Sequence, residues 1–330
     1  MFAVPTVRFV VLWFLSFRIP EIFPAILDNG AKRCHIESGS GTPGINAMPA
    51  DQADLDKIQL FADTHAIDAA NFQINLGLAI DSADLRRFDE KADEKTDELR
   101  ALFPAIDSPE VIRFEIDNGA ASHSRPPPPA RELALFASDG RQLWAGSFAN
   151  NRILVSCRNY TKWQEIWPQA NNRLNALLAC IDPYKPVQSV DYSVTDTFRA
   201  KQADDVLVPD NIFREHDLVS GQVRNLRDPI WDFRQGWFDN LASEAPVLIR
   251  IEGQGVIDND RAVTSIHNLH SQRFRGGMTV GELIADDPED GSKADQIFDV
   301  FHRKNKNLLR TLLTDCLLAR MGLKNTGEQS

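Results

Sequence analysis

The sequence predicts an α+β protein made of two halves, each an antiparallel sheet covered by a long helix, in an order that fits a duplicated β-α-β-β-β-β-α unit. Three observations carry this reading. Apolar and polar residues alternate over several short stretches, two long stretches switch to helical period, and turn residues that tolerate positive φ separate the strands at short intervals. No residue-level repeat accompanies the repeated order, so the duplication rests on the order of elements alone.

The first half spans residues 52–182. In "ANFQINLGLAI", Phe72, Ile74, Leu76, Leu78 and Ile80 alternate with small or polar residues, the period of a strand buried on one side. "SADLRRFDEKADEKTDELRALF" changes period and predicts one charged helix that Ser82 caps and Pro104 follows. "VIRFEID" returns to alternation. The stretch "NGAASHSRPPPPAR" predicts a loop, because consecutive prolines can neither donate to a ladder nor continue a helix. "ELALFA", "QLWAGSF" and "RILVSCR" predict a meander with turns at Asp139-Gly140 and Asn150-Asn151. The helix of "YTKWQEIWPQANNRLNALLACI" closes the half, with a Thr161–Gln164 capping box and Pro168 near its start.

The second half spans residues 183–323, followed by a tail at 324–330. "PVQSVDYSVTDTFRA" predicts a long strand with Val190, Tyr192, Val194 and Phe198 on one face. Residues 200–228 are irregular, with a short helix near "NIFREH". Strands then fit "IWDFRQGWF", "PVLIRIEGQGVI" and "RAVTSIHNLHSQRF", the last two joined by a turn at Asp258-Asn259-Asp260. The closing helix starts at Ser292 with Asp295 as its box partner and runs through 297–318, with Phe301, Asn305, Leu309, Leu312 and Cys316 along its buried stripe.

Residues 1–51 read differently. The uncharged run between Arg8 and Arg18 is shorter than the ~20 residues that span a bilayer, and no signal-peptide cleavage pattern follows it closely. Residues 28–51 have no periodicity. The expectation is an N-terminal extension outside the fold, with residues 1–47 an upstream addition to a protein that starts at Met48.

The chain has 330 residues, 43% of them hydrophobic, which is enough to bury a core. Its net charge is -11 and its pI about 5.1, which disfavours an unspecific grip on nucleic acid or an anionic membrane. Cys34, Cys157, Cys180 and Cys316 lie far apart without metal-ligand spacing and read as reduced thiols of a cytoplasmic protein. No nucleophile elbow, phosphate loop, zinc-helix or dinucleotide motif is present, so neither a metal nor a cofactor is expected.

The candidate catalytic residues are His302, His267 and Asp196. Histidine suits acid-base work near neutrality, and a carboxylate on an apolar strand face is costly without a partner. His267 and His270 sit three apart on a strand and should point to opposite faces, so they should not share a metal. Structural histidines, and an Asp196 exposed near its strand end, are the preferred accounts. The candidate ligand-binding residues are Arg273 and Arg275 in "SQRFRGG", whose guanidinium groups could hold a phosphate or carboxylate, together with Asn305 and His270. The basic cluster of Arg303, Lys304, Lys306 and Arg310 reads as a solvated helix face. Trp163, Trp167, Trp231 and Trp237 read as packing rather than as a stacking platform.

Three stretches, "ALFASDGRQLWAGSFANNRILVSCRNYTKWQEIW", "VQSVDYSVTDTF" and "IFDVFHRKNKNLLRTLLTDCLLARMGL", resemble a sporadically distributed bacterial family of uncharacterised proteins over about residues 70–323. The features that carry the resemblance are Tyr160 and Trp163 at a helix start, Phe301 or His302, and the pair Thr314 and Asp315. The chain departs from the family in its long strand, where Asp191, Tyr192 and Ser193 replace an arginine-tyrosine-asparagine run. The resemblance implies no activity and no catalytic residues. A patchy distribution would suit an accessory gene, such as a regulatory or defence-linked component.

The expected function is thus a non-enzymatic, cytoplasmic binding or regulatory protein whose partner is another protein. The alternative is a hydrolase or transferase using His302 with Asp196 or His267. The third reading, a nucleic-acid-binding saddle, is disfavoured by net charge.

Overall fold

The computed structural model describes residues 57–62, 65–93, 98–107, 114–117, 120–123, 130–239, 245–275 and 277–323. The expectations for residues 1–51, Cys34, the prolines at 126–129 and the tail at 324–330 lie outside the described residues.

The first half contains β1 (Ile58–Leu60), β2 (Ile67–Leu76), α1 (Ser82–Lys91), α2 (Glu98–Leu102) and β3 (Ala105–Asp107). A separate hairpin of β4 (Phe114–Asp117) and β5 (Ala120–His123) comes next. The meander of β6 (Ala130–Phe136), β7 (Gln142–Ala149) and β8 (Arg152–Cys157) leads into the long helix α3 (Trp163–Leu178). The second half opens with β9 (Val187–Ala200) and the short helices α4 (Pro209–Ile212) and α5 (Gly221–Arg224). Its own meander is β10 (Trp231–Asp239), β11 (Val247–Asp258) and β12 (Arg261–Arg273). It closes with α6 (Val280–Ile284), α7 (Lys293–Leu312) and α8 (Asp315–Arg320).

The predicted α+β class is what forms, and the two halves share one sheet. Its ten antiparallel strands run β10-β11-β12-β9-β2-β8-β7-β6-β3, with β1 added on the β2 side of β9. In each half the first long strand, β2 or β9, pairs with the last strand of its own meander. Outward from the seam, the order is therefore β2-β8-β7-β6 on one side and β9-β12-β11-β10 on the other. The two strands β2 and β9 pair antiparallel, placing Phe72 opposite Tyr192 and Ile74 opposite Val190. This strand order is that of an approximate two-fold axis through the seam. The symmetry fails at the rim: β6 is flanked by β3, whereas no described strand flanks its counterpart β10.

Strand alternation sorts the side chains into two faces. On the covered face, Phe72 lies 5.6 Å from Trp167 of α3 and 5.5 Å from Phe298 of α7, ring centre to ring centre. Phe88 of α1 packs 5.0 Å from Phe148, and Phe103, just after α2, rests against the bare backbone of Gly146. Each fully buried aromatic of this kind contributes roughly 1.5–3 kcal/mol. The cap of α7 also ties the two long helices together. Asp295 completes the capping box with Ser292 and accepts from Trp167 Nε1 at 2.9 Å and Asn171 Nδ2 at 3.0 Å.

Several local expectations are corrected. Asp81, not Ser82, caps α1, because its carboxylate accepts from the N–H groups of Ala83 and Asp84. The single helix predicted after β2 is two, α1 and α2. The box expected from Thr161 does not form; Thr161 Oγ1 donates to Glu165 at 2.6 Å, and Lys162 occupies the cap position without a side-chain bond. Ala120–His123, read as loop, pairs with β4. The stripe predicted to continue to 318 breaks at Leu313, whose extended backbone (ψ 151°) bridges Phe213, while Thr314 N donates to Ile212 O at 3.0 Å. Long-range backbone bonds replace the next helical turn, so Cys316 belongs to α8. The predicted turns are confirmed by positive φ at Gly140, Asn150, Asn259 and Asp260.

Candidate functional site

The covered face of β9 and β12 should be apolar but carries a band of polar side chains. Register places His270 beside Tyr192, Asn268 beside Val194, Ile266 beside Asp196 and Thr264 beside Phe198. Asp196, Thr264, Asn268 and His270 are all 0% exposed. Both carboxylate oxygens of Asp196, both amide atoms of Asn268, both ring nitrogens of His270, the Tyr192 hydroxyl and Thr264 Oγ1 have no hydrogen-bond partner among the described residues. Buried polar groups are normally paired, and each one that is not costs about 1–3 kcal/mol. This band stands apart from the rest of the core for that reason.

Helix α7 lies over the band. Its Phe301 stacks on His270 at 6.0 Å, and Asn305, 3% exposed, follows one turn later with Oδ1 unpaired. The expected place of Asn305 in the buried stripe is therefore correct. The hydrogen bonds that would make it an ordinary core fixture are not formed on Oδ1. His302 lies flat on Trp163, ring centres 4.2 Å apart and planes 3° from parallel, with Nδ1 buried and unpaired.

Burial sets the titration of these groups. Asp196 is pushed up to about 7 by burial, against an ordinary value of 3.8. His270 is pushed down to about 4 by burial, with the Asn305 side chain opposing the shift. Both His270 ring nitrogens and Asn305 Oδ1 are nonetheless without a hydrogen-bond partner. His302 also falls to about 4, first through burial and then through the Lys306 charge. The preferred account of Asp196, exposure near its strand end, is overturned: the β1 and β2 strands both pair with this end of β9 and close it off.

The opposite face of the sheet receives none of α1, α2, α3 or α7. Along its seam the side chains are small and polar, and they bond to one another. Asp191 Oδ2 accepts from Asn75 at 2.6 Å and Gln73 at 3.2 Å, and Oδ1 accepts from Ser271 at 2.6 Å. Asn75 also donates to Ser189 at 2.8 Å, and Asn71 donates to Ser193 at 3.2 Å. His267 Nδ1 lies 3.2 Å from Thr195 Oγ1. The lattice joins β2, β9 and β12 across three strands. Burial raises the Asp191 carboxyl, and the bonds from Ser271 and Asn75 oppose it.

The predicted site residues therefore separate. His267 and His270 point to opposite faces, as expected. Asp196 and His267 also lie on opposite faces, so the sheet itself stands between them. Between Asp196 and His302 there is no hydrogen bond, since both Asp196 oxygens and His302 Nδ1 are unpaired. Arg273 ends β12 beside Ser189, exposed, and its charge reaches Asp191. Arg275 is exposed just beyond the strand. The basic residues of α7 are surface groups, although Lys304 pairs with Asp239 and Arg303 with Asp299 at 3.2 Å.

Two groups escaped sequence reasoning. One is the lattice itself, whose signal was present as alternating Asn71, Gln73, Asn75 and Ser189, Asp191, Ser193, Thr195. The other is the buried pair of Lys185 with Asp84, at 5% and 0% side-chain exposure, which links the loop after α3 to α1. Among the described residues no group of three or more His, Cys, Asp or Glu could hold a metal ion, and no helix is long and apolar enough to cross a membrane. Comparison with protein-family models, curated proteins and solved structures finds no match.

Proposed function

We propose that this chain is a non-enzymatic binding protein of the cytoplasm that engages another protein through the polar face of its sheet, opposite α3 and α7, in an accessory or regulatory role. The observation that carries the reading is the Asp191 lattice. Its donors and acceptors are fixed by mutual bonds before any partner arrives, so little side-chain freedom is lost on contact. Catalysis is not favoured, because His270 and Asp196 are fully buried, His302, on α7 itself, is held flat against Trp163, and His267 faces the other way. A nucleic acid is not favoured either. The same face mixes Arg152, Arg250 and Arg273 with Glu132, Asp191 and Glu252, where a phosphate backbone calls for a positive stripe.

The test is affinity purification of tagged protein from its native host with identification of what is retained. The Asn71→Ala/Asn75→Ala variant should lose the partner, and Arg303→Ala, altered on the exposed back of α7, should keep it. A partner kept by the double variant would refute the assignment to this face. The Arg273→Ala/Arg275→Ala variant then decides whether the end of β12 belongs to the contact.

A further inference from the structure

The approximate symmetry of the sheet points to a second contact. In the first half β6 carries β3 on its outer side, with Ala105 opposite Ala134 and Asp107 opposite Glu132. In the second half the equivalent strand, β10, pairs among the described residues with β11 alone; the short helix α5 lies against it, and its outer edge faces no described strand. Such an edge is a template for a further strand. It is also a well-held template, because the Trp231 and Phe233 rings occupy the space where Gly255 and Gly253 of β11 have no Cβ.

We propose that β10 pairs antiparallel with β10 of a second copy of this chain, forming a two-fold dimer whose sheet runs continuously through both molecules. The sequence of the strand supports a second copy over a foreign peptide, since a register centred on Gln235 sets the half-buried aromatics Phe233 and Trp237 against each other twice. In that register Phe233 faces Trp237 of the other copy, and the reverse pair repeats it. Both side chains lie on the covered face and are only partly buried in one chain. Aromatic pairs directly opposite across strands are stabilising. On the other face the same register brings Phe238, 45% exposed, diagonally beside Ile230, 64% exposed, of the second copy. Arg234 lies opposite Gly236 and diagonal to Arg234 of the other copy, each guanidinium being paired with Glu252 of its own chain at 2.8 Å. The register is thus one in which exposed apolar side chains of one copy cover those of the other, as an isologous interface requires.

Gln235 is the residue that meets itself on the axis, and this makes the proposal testable with the full chain. Analytical ultracentrifugation should find the wild type as a dimer and both Gln235→Lys and Gln235→Glu as monomers, since each places two like charges opposite one another. Mixing the two variants should restore a dimer, because Lys then faces Glu. Circular dichroism of each variant should match the wild type, which separates loss of association from loss of fold. A monomeric wild type at the highest attainable concentration overturns the proposal. So does a dimer that survives both substitutions, or a mixture that stays monomeric. The Asn71→Ala/Asn75→Ala variant should remain dimeric, so the edge contact and the proposed face contact fail separately.

Discussion

The two faces of the β9–β12 pair use similar side chains in opposite ways. On the polar face, opposite α3 and α7, Asp191 is surrounded by Gln73, Asn75 and Ser271, each within hydrogen-bond distance. On the covered face, Asp196 lies five residues further along the same strand with neither oxygen paired. Both carboxyls are raised by burial, but bonds oppose the shift at Asp191, while burial is the sole cause at Asp196, which reaches about 7. The lesson is that burial and satisfaction are separate quantities. A polar side chain costs stability through the partner it lacks, not through the depth at which it sits.

The largest effect that would test this contrast is on packing. Phe72→Ala removes the ring that Trp167, Tyr192 and Phe298 surround, and should cost about 3–5 kcal/mol in denaturant unfolding. A loss comparable to that of a polar-face alanine would mean that the covered face is not the core.

Next comes Asp196. Its folded value near 7 lies above the unfolded one, so between about pH 4 and 7 the unfolded chain releases a proton that the folded chain keeps. Stability conferred by this group therefore falls as pH rises through that window, by up to about 4 kcal/mol. Asp196→Asn should be more stable than wild type at pH 8 and equal to it near pH 4, as read from unfolding free energy against pH. His270 and His302, lowered to about 4, have the reverse slope. The unfolded chain gains protons below about pH 6.5 that the folded chain refuses, so their contribution falls as pH drops. His270→Gln should flatten that acid-side loss, and an unchanged profile would show that His270 finds a hydrogen-bond partner.

Smaller effects belong to the other face. Asn75→Ala removes two donors but leaves Asp191 with Gln73 and Ser271, and should cost about 1 kcal/mol. A cost near that of Phe72→Ala would make the lattice structural rather than a contact surface. Arg273→Ala, at an exposed strand end, should change stability by less than about 0.5 kcal/mol. Any larger loss would tie its guanidinium to Asp191 as a structural pair.

By itself the sequence determined the class, the long strands and most turns, but not the short strands β1, β3 and β5. Period-two alternation in "NFQINL" and "VDYSVTDTF", helical period with the Ser292–Asp295 box, and positive-φ pairs such as Asn259-Asp260 are all local, and local chemistry was enough to place them. It also placed Asn305 in the buried stripe and put His267 and His270 on opposite faces. Three things were decided only in three dimensions. The two halves share one sheet because β2 and β9 pair across more than a hundred residues, a contact that neither strand advertises alone. Helix α7 stops at Leu313 because Phe213 and Ile212 supply backbone partners from far away. Asp196 is buried because β1 and β2 both close over its end of β9, whereas alternation could assign it a face but not a neighbour. Periodicity is a property of one strand, but burial and hydrogen bonding are properties of what packs against it.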